Sequence, residues 1–193
     1  MNTKTNDTRQ HILNVGYQLI VEKGFTSVGL SQLLKEADVP KGSFYHYFKS
    51  KEQFGEALIK DYFEQYLDRL DNAFNHSEGN HYERLTAYFS RWLLVDDGKC
   101  NAHKCLVVKL SAEVSDLSEP MRQALNKGAE QVISSIATCI QSGIADGSII
   151  EQNSENAAKV LYSMWLGSSL LSKLNQTTDS LKLALTTTES MLS

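Results

Sequence analysis

The chain has 193 residues, of which 41% are hydrophobic and two are proline, with a formal net charge of −4; this suits one or two domains with a sizeable core and excludes fibrous and disordered classes. Charge is unevenly shared: residues 1–51 carry seven Lys/Arg against four Asp/Glu, and residues 52–193 carry twelve against nineteen, so the basic segment is suited to a polyanion. No run approaches the roughly 18 apolar residues of a membrane span, MNTKTNDTRQ does not read as a signal peptide, and three cysteines are an odd number for a disulfide framework, so a cytoplasmic protein with reduced thiols is expected.

In chain order the pattern is helical and gives an all-α class of about nine helices. Ile12, Val15, Gly16, Leu19 and Ile20 fall at i, i+3, i+4, i+7 and i+8, the apolar face of a first helix running from near Asp7 to Gly24. A short second helix is expected over 29–37, burying Leu30, Leu33 and Leu34. It must stop before Pro40, because the residue preceding a proline is pushed out of helical geometry. After the turn ADVPKG a two-turn third helix spans 43–49, with Phe44 and Phe48 sharing a buried face.

Ser50 followed by Gln53 reads as a capping box opening a long fourth helix through Phe54, Leu58, Tyr62 and Leu70, which ends at HSEGN. Further helices are expected over 81–95 and 103–117, and from Ser118 onward with Pro120 in the first turn, through Met121, Leu125, Val132, Ile136 and Ile140. Another carries Ala157, Val160, Leu161, Met164, Trp165 and Leu171, and a last one Leu181, Ala184, Leu185, Thr188 and Leu192.

The stretch KGSFYHYFKSK, residues 41–51, gathers lysines and rings within this chain. Two short helices joined by a tight turn describe a helix-turn-helix whose second helix enters the major groove. Lys41, Lys49 and Lys51 suit phosphates, the hydroxyls of Ser43, Tyr45 and Tyr47 can donate to phosphate oxygens, and His46 can approach a base edge. The backbone after Gly42 offers N–H groups to a phosphate. The competing account, half-buried tyrosines on a solvated lysine face, is weakened because the two phenylalanines already fill the buried positions.

GFTSVGLSQLLKEADVPKGSFYHYFKSKEQF, residues 24–54, resembles the TetR-type one-component repressors nearly position for position. The resemblance implies a homodimeric DNA-binding repressor, here with a three-helix DNA-binding domain over 6–66 and a sensor and dimerisation domain over 67–193, acting on palindromic double-stranded operator DNA. Gly29 stands where the family usually has Thr, and Ser31 where it often has Arg; base reading by the second helix is put in doubt, although Ser31 stays among the expected DNA contacts. CLVVKLSAEVSDLSEPMRQALNKGAEQVI and LYSMWLGSSLLSKL are similar to segments of those family members that respond to N-ethylmaleimide and related electrophiles. This implies release of DNA by an electrophile or oxidant acting on a sensor thiol, with Cys105 matching the reactive position and Lys173 its basic partner.

Alternatives accompany that reading. Inducer binding could instead be reversible, in a pocket lined by Tyr88, Trp92, Met164 and Trp165. An enzyme built on Cys105 with His103 or His81 lacks a nucleophile elbow, a phosphate loop or an HExxH pattern, so none is expected. Cys100, His103 and Cys105 could supply three metal ligands, but no second pair follows; neither metal nor other cofactor is expected. Cys139, between Ile136 and Ile140, reads as core, and Cys100 as an exposed loop residue. Glu113 and Asp116 read as helix-end or sensor-pocket residues. The apolar stripes of the last two helices, with Gly167, Ser168 and Ser169 allowing close backbone approach, are expected to form a four-helix bundle with a second copy.

Overall fold

Each strongly periodic segment of the sequence is a helix in the computed structural model, which describes residues 3–96 and 99–193. Nine α-helices occur among the described residues: α1 (Thr3–Lys23), α2 (Leu30–Glu36), α3 (Lys41–Tyr47), α4 (Lys51–Asn75), α5 (His81–Ser90), α6 (Leu106–Val114), α7 (Glu119–Ala145), α8 (Ser154–Asn175) and α9 (Asp179–Leu192). The all-α class is as expected. Differences are local, and the largest lie between α5 and α6. The helix expected to reach residue 95 ends at Ser90 and tightens into a 3₁₀ turn, Arg91–Leu93; a two-residue antiparallel pairing follows, β1 (Val95–Asp96) with β2 (Lys99–Cys100). A second 3₁₀ turn, Asn101–Lys104, then delays the start of α6 to Leu106.

The chain divides into two compact units, one of Met1–Glu64 with Lys109–Gly128, the other of Gln65–Val108 with Ala129–Ser193. In the first unit α1 buries Ile12, Leu13 and Ile20. Gly24, with φ of +89°, occupies the left-handed position that lets the chain leave the helix without a Cβ clash. Gly16 faces Phe54 so closely that a Cβ there would stand 2.3 Å from Cζ of the ring. Phe44, Phe48 and Phe54 form the aromatic centre, with centroids 5.2–5.7 Å apart, in the tilted and edge-to-face arrangements that ring quadrupoles favour.

In the second unit α5 opens with a full capping box: the Asn80 side chain accepts from the Glu83 N–H, and the Glu83 carboxylate accepts from the Asn80 N–H. Phe89, Trp92 and Trp165 stack together, Phe89 on Trp165 at 4.9 Å and Trp92 edge-on to Trp165 at 5.7 Å. The buried indole N–H of Trp165 donates to Thr188 Oγ1 at 2.9 Å, so α9 is tied to α8 by a satisfied polar contact inside the core.

Candidate functional site

Phe44 is fully buried and Phe48 1% exposed, which turns the intervening side chains outward: Tyr45 and His46 are exposed and Tyr47 half-buried. The His46 ring stands edge-on to Tyr47 at 4.8 Å, and the Lys41 ammonium lies 5.8 Å from the centre of the Tyr45 ring. Lys41, Gly42, Lys49 and Ser31 are exposed, and Ser43 half-buried. The third helix starts two residues earlier than expected, with Pro40 as its N-cap and Lys41 in its first turn. Gly29 caps α2 with extended backbone and no side-chain hydrogen bond. The result is a short helix presenting hydroxyls, an imidazole and ammonium groups on one side of an aromatic core.

Lys51 is engaged within the unit: its Nζ donates to the Phe25 carbonyl at 2.8 Å and lies 4.5 Å from the centre of the Phe25 ring. Burial holds its ammonium below the ordinary lysine range, partly offset by Glu52 and Glu113. Ser50 accepts from the Gln53 N–H at 3.1 Å, while Gln53 Oε1 accepts from Lys49 N–H at 2.6 Å, a capping box shifted by one residue on its return arm.

Sequence reasoning missed two ties that set the pose of this unit. His11, on the exposed side of α1, places Nε2 2.9 Å from the carbonyl of Ala37, the C-cap of α2. Glu113 accepts from both the N–H and the hydroxyl of Thr26, each at 3.0 Å, fastening the end of α6 to the loop after α1. The pairing spans 87 positions, so no local signal announces it.

The three cysteines stand in different surroundings and no disulfide joins them. Cys105 is half-exposed and sits between the Asn101–Lys104 turn and the first residue of α6, where the helix dipole favours a thiolate. His103 lies 3.3 Å from Ser172 Oγ; burial first, then the neighbouring Lys173 ammonium, holds its imidazole below the usual range. Lys173 is thus within electrostatic reach of a residue two positions from Cys105. A cleft of about 520 Å³ opens here, lined among others by Cys100, His103, Ser172, Thr177 and Asp179.

Cys100 is buried, not exposed as its polar sequence surroundings suggested: its Sγ donates to the Trp92 carbonyl at 2.8 Å, because the β1–β2 pairing folds the loop back. Cys139 is core, and burial pushes its thiol up to about 12. No group of three or more His, Cys, Asp or Glu placed to hold a metal occurs among the described residues. Of the expected pocket lining, Tyr88, Trp92 and Trp165 are buried and packed into one aromatic cluster, whereas Met164 is half-buried. Ser169, expected at a subunit contact, is fully buried and donates to the Ala102 carbonyl at 2.7 Å.

The family model "Bacterial regulatory proteins, tetR family" matches residues 12–58, and "Tetracyclin repressor-like, C-terminal domain" matches residues 82–188. The chain is 43% identical to the HTH-type transcriptional repressor NemR of Escherichia coli K12, over 96% of this chain and 94% of that protein. It is 34% identical to the transcriptional regulator AcuR of Cereibacter sphaeroides, over 89% of this chain and 79% of that one. The crystal structure of reduced E. coli NemR superposes with a TM-score of 0.92 at 42% identity, covering 97% of both chains.

Proposed function

Because this chain belongs to the tetR family of bacterial regulatory proteins, we propose that it is a dimeric helix-turn-helix transcriptional repressor that releases operator DNA when Cys105 reacts with an electrophile or oxidant. The family is one of transcriptional regulators, and an N-terminal DNA-binding domain over 6–66 followed by a sensor and dimerisation domain over 67–193 suits the two family models. Among the described residues no helix is long and apolar enough to cross a membrane, which suits a cytoplasmic regulator. Lys41, Lys49, Ser43, Tyr45 and Tyr47 contact phosphates and His46 a base edge of a palindromic operator; Ser31 and Gly42 let the backbone come close. The printed name of the E. coli relative, a transcriptional repressor, supports the direction of control.

The observation that carries the sensing reading is the contrast between thiols: Cys105 is half-exposed at a helix start, while Cys100 and Cys139 are buried. Addition of the Cys105 thiolate to an electron-poor carbon, or its two-electron oxidation by hypochlorite, changes volume and polarity at the first turn of α6. That helix, Leu106–Val114, begins just after Cys105 and carries near its end Glu113, whose carboxylate holds the loop after α1. A displaced α6, together with α4, alters the pose of the reading head. Lys173 supports the thiolate through its charge.

The test follows Cys105→Ser. This variant should bind operator as the parent does and resist release by maleimide, quinone or hypochlorite, because a hydroxyl is far less nucleophilic than a thiolate. Release of the Cys105→Ser protein under the same treatment overturns thiol sensing. Reversible binding among Tyr88, Trp92, Met164 and Trp165 would then be the better account.

A further inference from the structure

Residues 1–51 carry seven Lys/Arg, and the DNA contacts proposed above draw only on those of the α3 segment. Arg9, on α1, is half-buried, and its guanidinium carbon lies 5.6 Å from the centre of the Phe48 ring. Phe48 is buried and forms the C-cap of α3. The contact therefore brings a cation from the first helix to the far end of the third, opposite Lys41, which opens it. Ring contacts continue from there toward the exposed face: Tyr47 stands 6.3 Å from Phe48, and His46 4.8 Å from Tyr47.

Among the described residues Arg9 has no acidic partner within ion-pair distance and its side chain makes no hydrogen bond; Gln10, the next residue, donates to Asp61 at 2.9 Å. Attraction to a ring face uses the positive charge of a guanidinium and none of its five N–H donors. The group is thus fixed in place with its donors unspent, and such a fork matches a phosphate through two parallel bonds. Lys51, the other cation that follows α3, is already bonded to the Phe25 carbonyl, so Lys49 and Arg9 are what that end of the helix offers a polyanion. A helix in the major groove has the phosphates of both strands along its borders, and cations at both ends of α3 suit that position.

We propose that Arg9 contacts a backbone phosphate of bound DNA and is held in register with α3 by its seat on Phe48. The inference rests on the reading of α3 as the helix that enters the groove. A phosphate contact carries no sequence information and releases counterions, so its loss is felt alike by all sequences and changes the salt dependence.

The test uses the full-length protein, a duplex enriched from a random library on the parent protein, and a scrambled duplex of the same length. Arg9→Gln, which removes the charge and keeps most of the stem, should weaken binding to both about tenfold, the low end for a hydrogen bond to a charged group. It should also lower the slope of log affinity against log salt by about one, and Arg9→Lys should restore that slope. A parent-like slope for Arg9→Gln, or a loss confined to the enriched duplex, overturns the proposal.

A measurement that needs no variant follows phenylglyoxal labelling of the parent protein by peptide mapping. Arg9 should label about tenfold more slowly when the enriched duplex is bound, because a bonded phosphate shields its N–H groups; equal rates overturn the contact. The two readings fail separately. If Lys49→Ala flattens the salt slope and Arg9→Gln does not, Arg9 alone is removed. If His46→Ala, Lys49→Ala and Arg9→Gln all bind as the parent does, α3 is not the reading helix and both fall.

Discussion

Cys100, Cys105 and Cys139 carry one chemistry and three different prospects, because reactivity follows the thiolate and its access. Cys139, pushed up to about 12 by burial, stays protonated at neutral pH. Cys100 is buried and donates to Trp92. Limited maleimide treatment of the native protein should therefore add one adduct, at Cys105, and treatment in denaturant three; peptide mapping that finds Cys139 first would contradict this order. His103 offers a pH-dependent readout. Its folded pKa lies below the unfolded 6.5, chiefly through burial, so the unfolded chain binds the extra proton first. Its stabilisation is present above about pH 6.5 and is lost as pH falls from there through the folded value. Thermal melts should show a shallower loss between neutral and mildly acid pH for His103→Gln than for the parent. The position of Cys139 is legible in its Ile136 and Ile140 neighbours. Burial of Cys100 is not, since a polar stretch reads as exposed until a hairpin folds it inward.

At the scale of elements, two ties separate DNA contact from internal support. The expectation that Lys51 serves a phosphate meets an ammonium already bonded to the Phe25 carbonyl. Lys51→Ala should cost about 1 kcal/mol of stability, the net worth of such a bond, seen as a lowered Tm, with little change in the salt dependence of operator binding. Lys49→Ala should leave Tm in place and reduce the slope of log affinity against log salt by about one. A flattened slope for Lys51→Ala would return that lysine to the phosphates. Glu113→Ala removes two hydrogen bonds to Thr26 and should lower stability by about 1–2 kcal/mol. It should also weaken the link between Cys105 modification and DNA release, measured as operator still bound at full Cys105 occupancy. His46→Ala should weaken the preferred site more than random DNA; equal losses would remove it from base reading.

At the scale of the molecule, subunit pairing turns on which apolar side chains face outward. Leu161 and Trp165 are fully buried within the chain, so a charge there should unfold the second unit, not merely separate subunits. Val160, Leu170, Leu171 and Leu174 on α8 and Leu183 on α9 are exposed, with Leu174 at 75%. Gly167 lies on the same stripe with no atom within 4 Å of a Cβ built there. This spacing is that of a helix seam awaiting a partner. Leu174→Asp should give a folded monomer by light scattering with sharply weakened operator binding, because two heads about one DNA turn, roughly 34 Å, apart act together only in a dimer. A Leu174→Asp dimer of full affinity would place the interface elsewhere.

By itself the sequence determined the helices, because each carries a local period of apolar residues, and the outward face of α3, because Phe44 and Phe48 claim its buried side. It also determined the family, through residues 24–54. Tertiary structure alone decided what depends on partners distant in the chain: the burial of Cys100 by the β1–β2 pairing, the fastening of Thr26 by Glu113 and the capture of Lys51 by Phe25. Local patterning sets which face of an element is apolar; which particular groups meet across that face is set only when the chain packs and every buried donor and acceptor must find its counterpart.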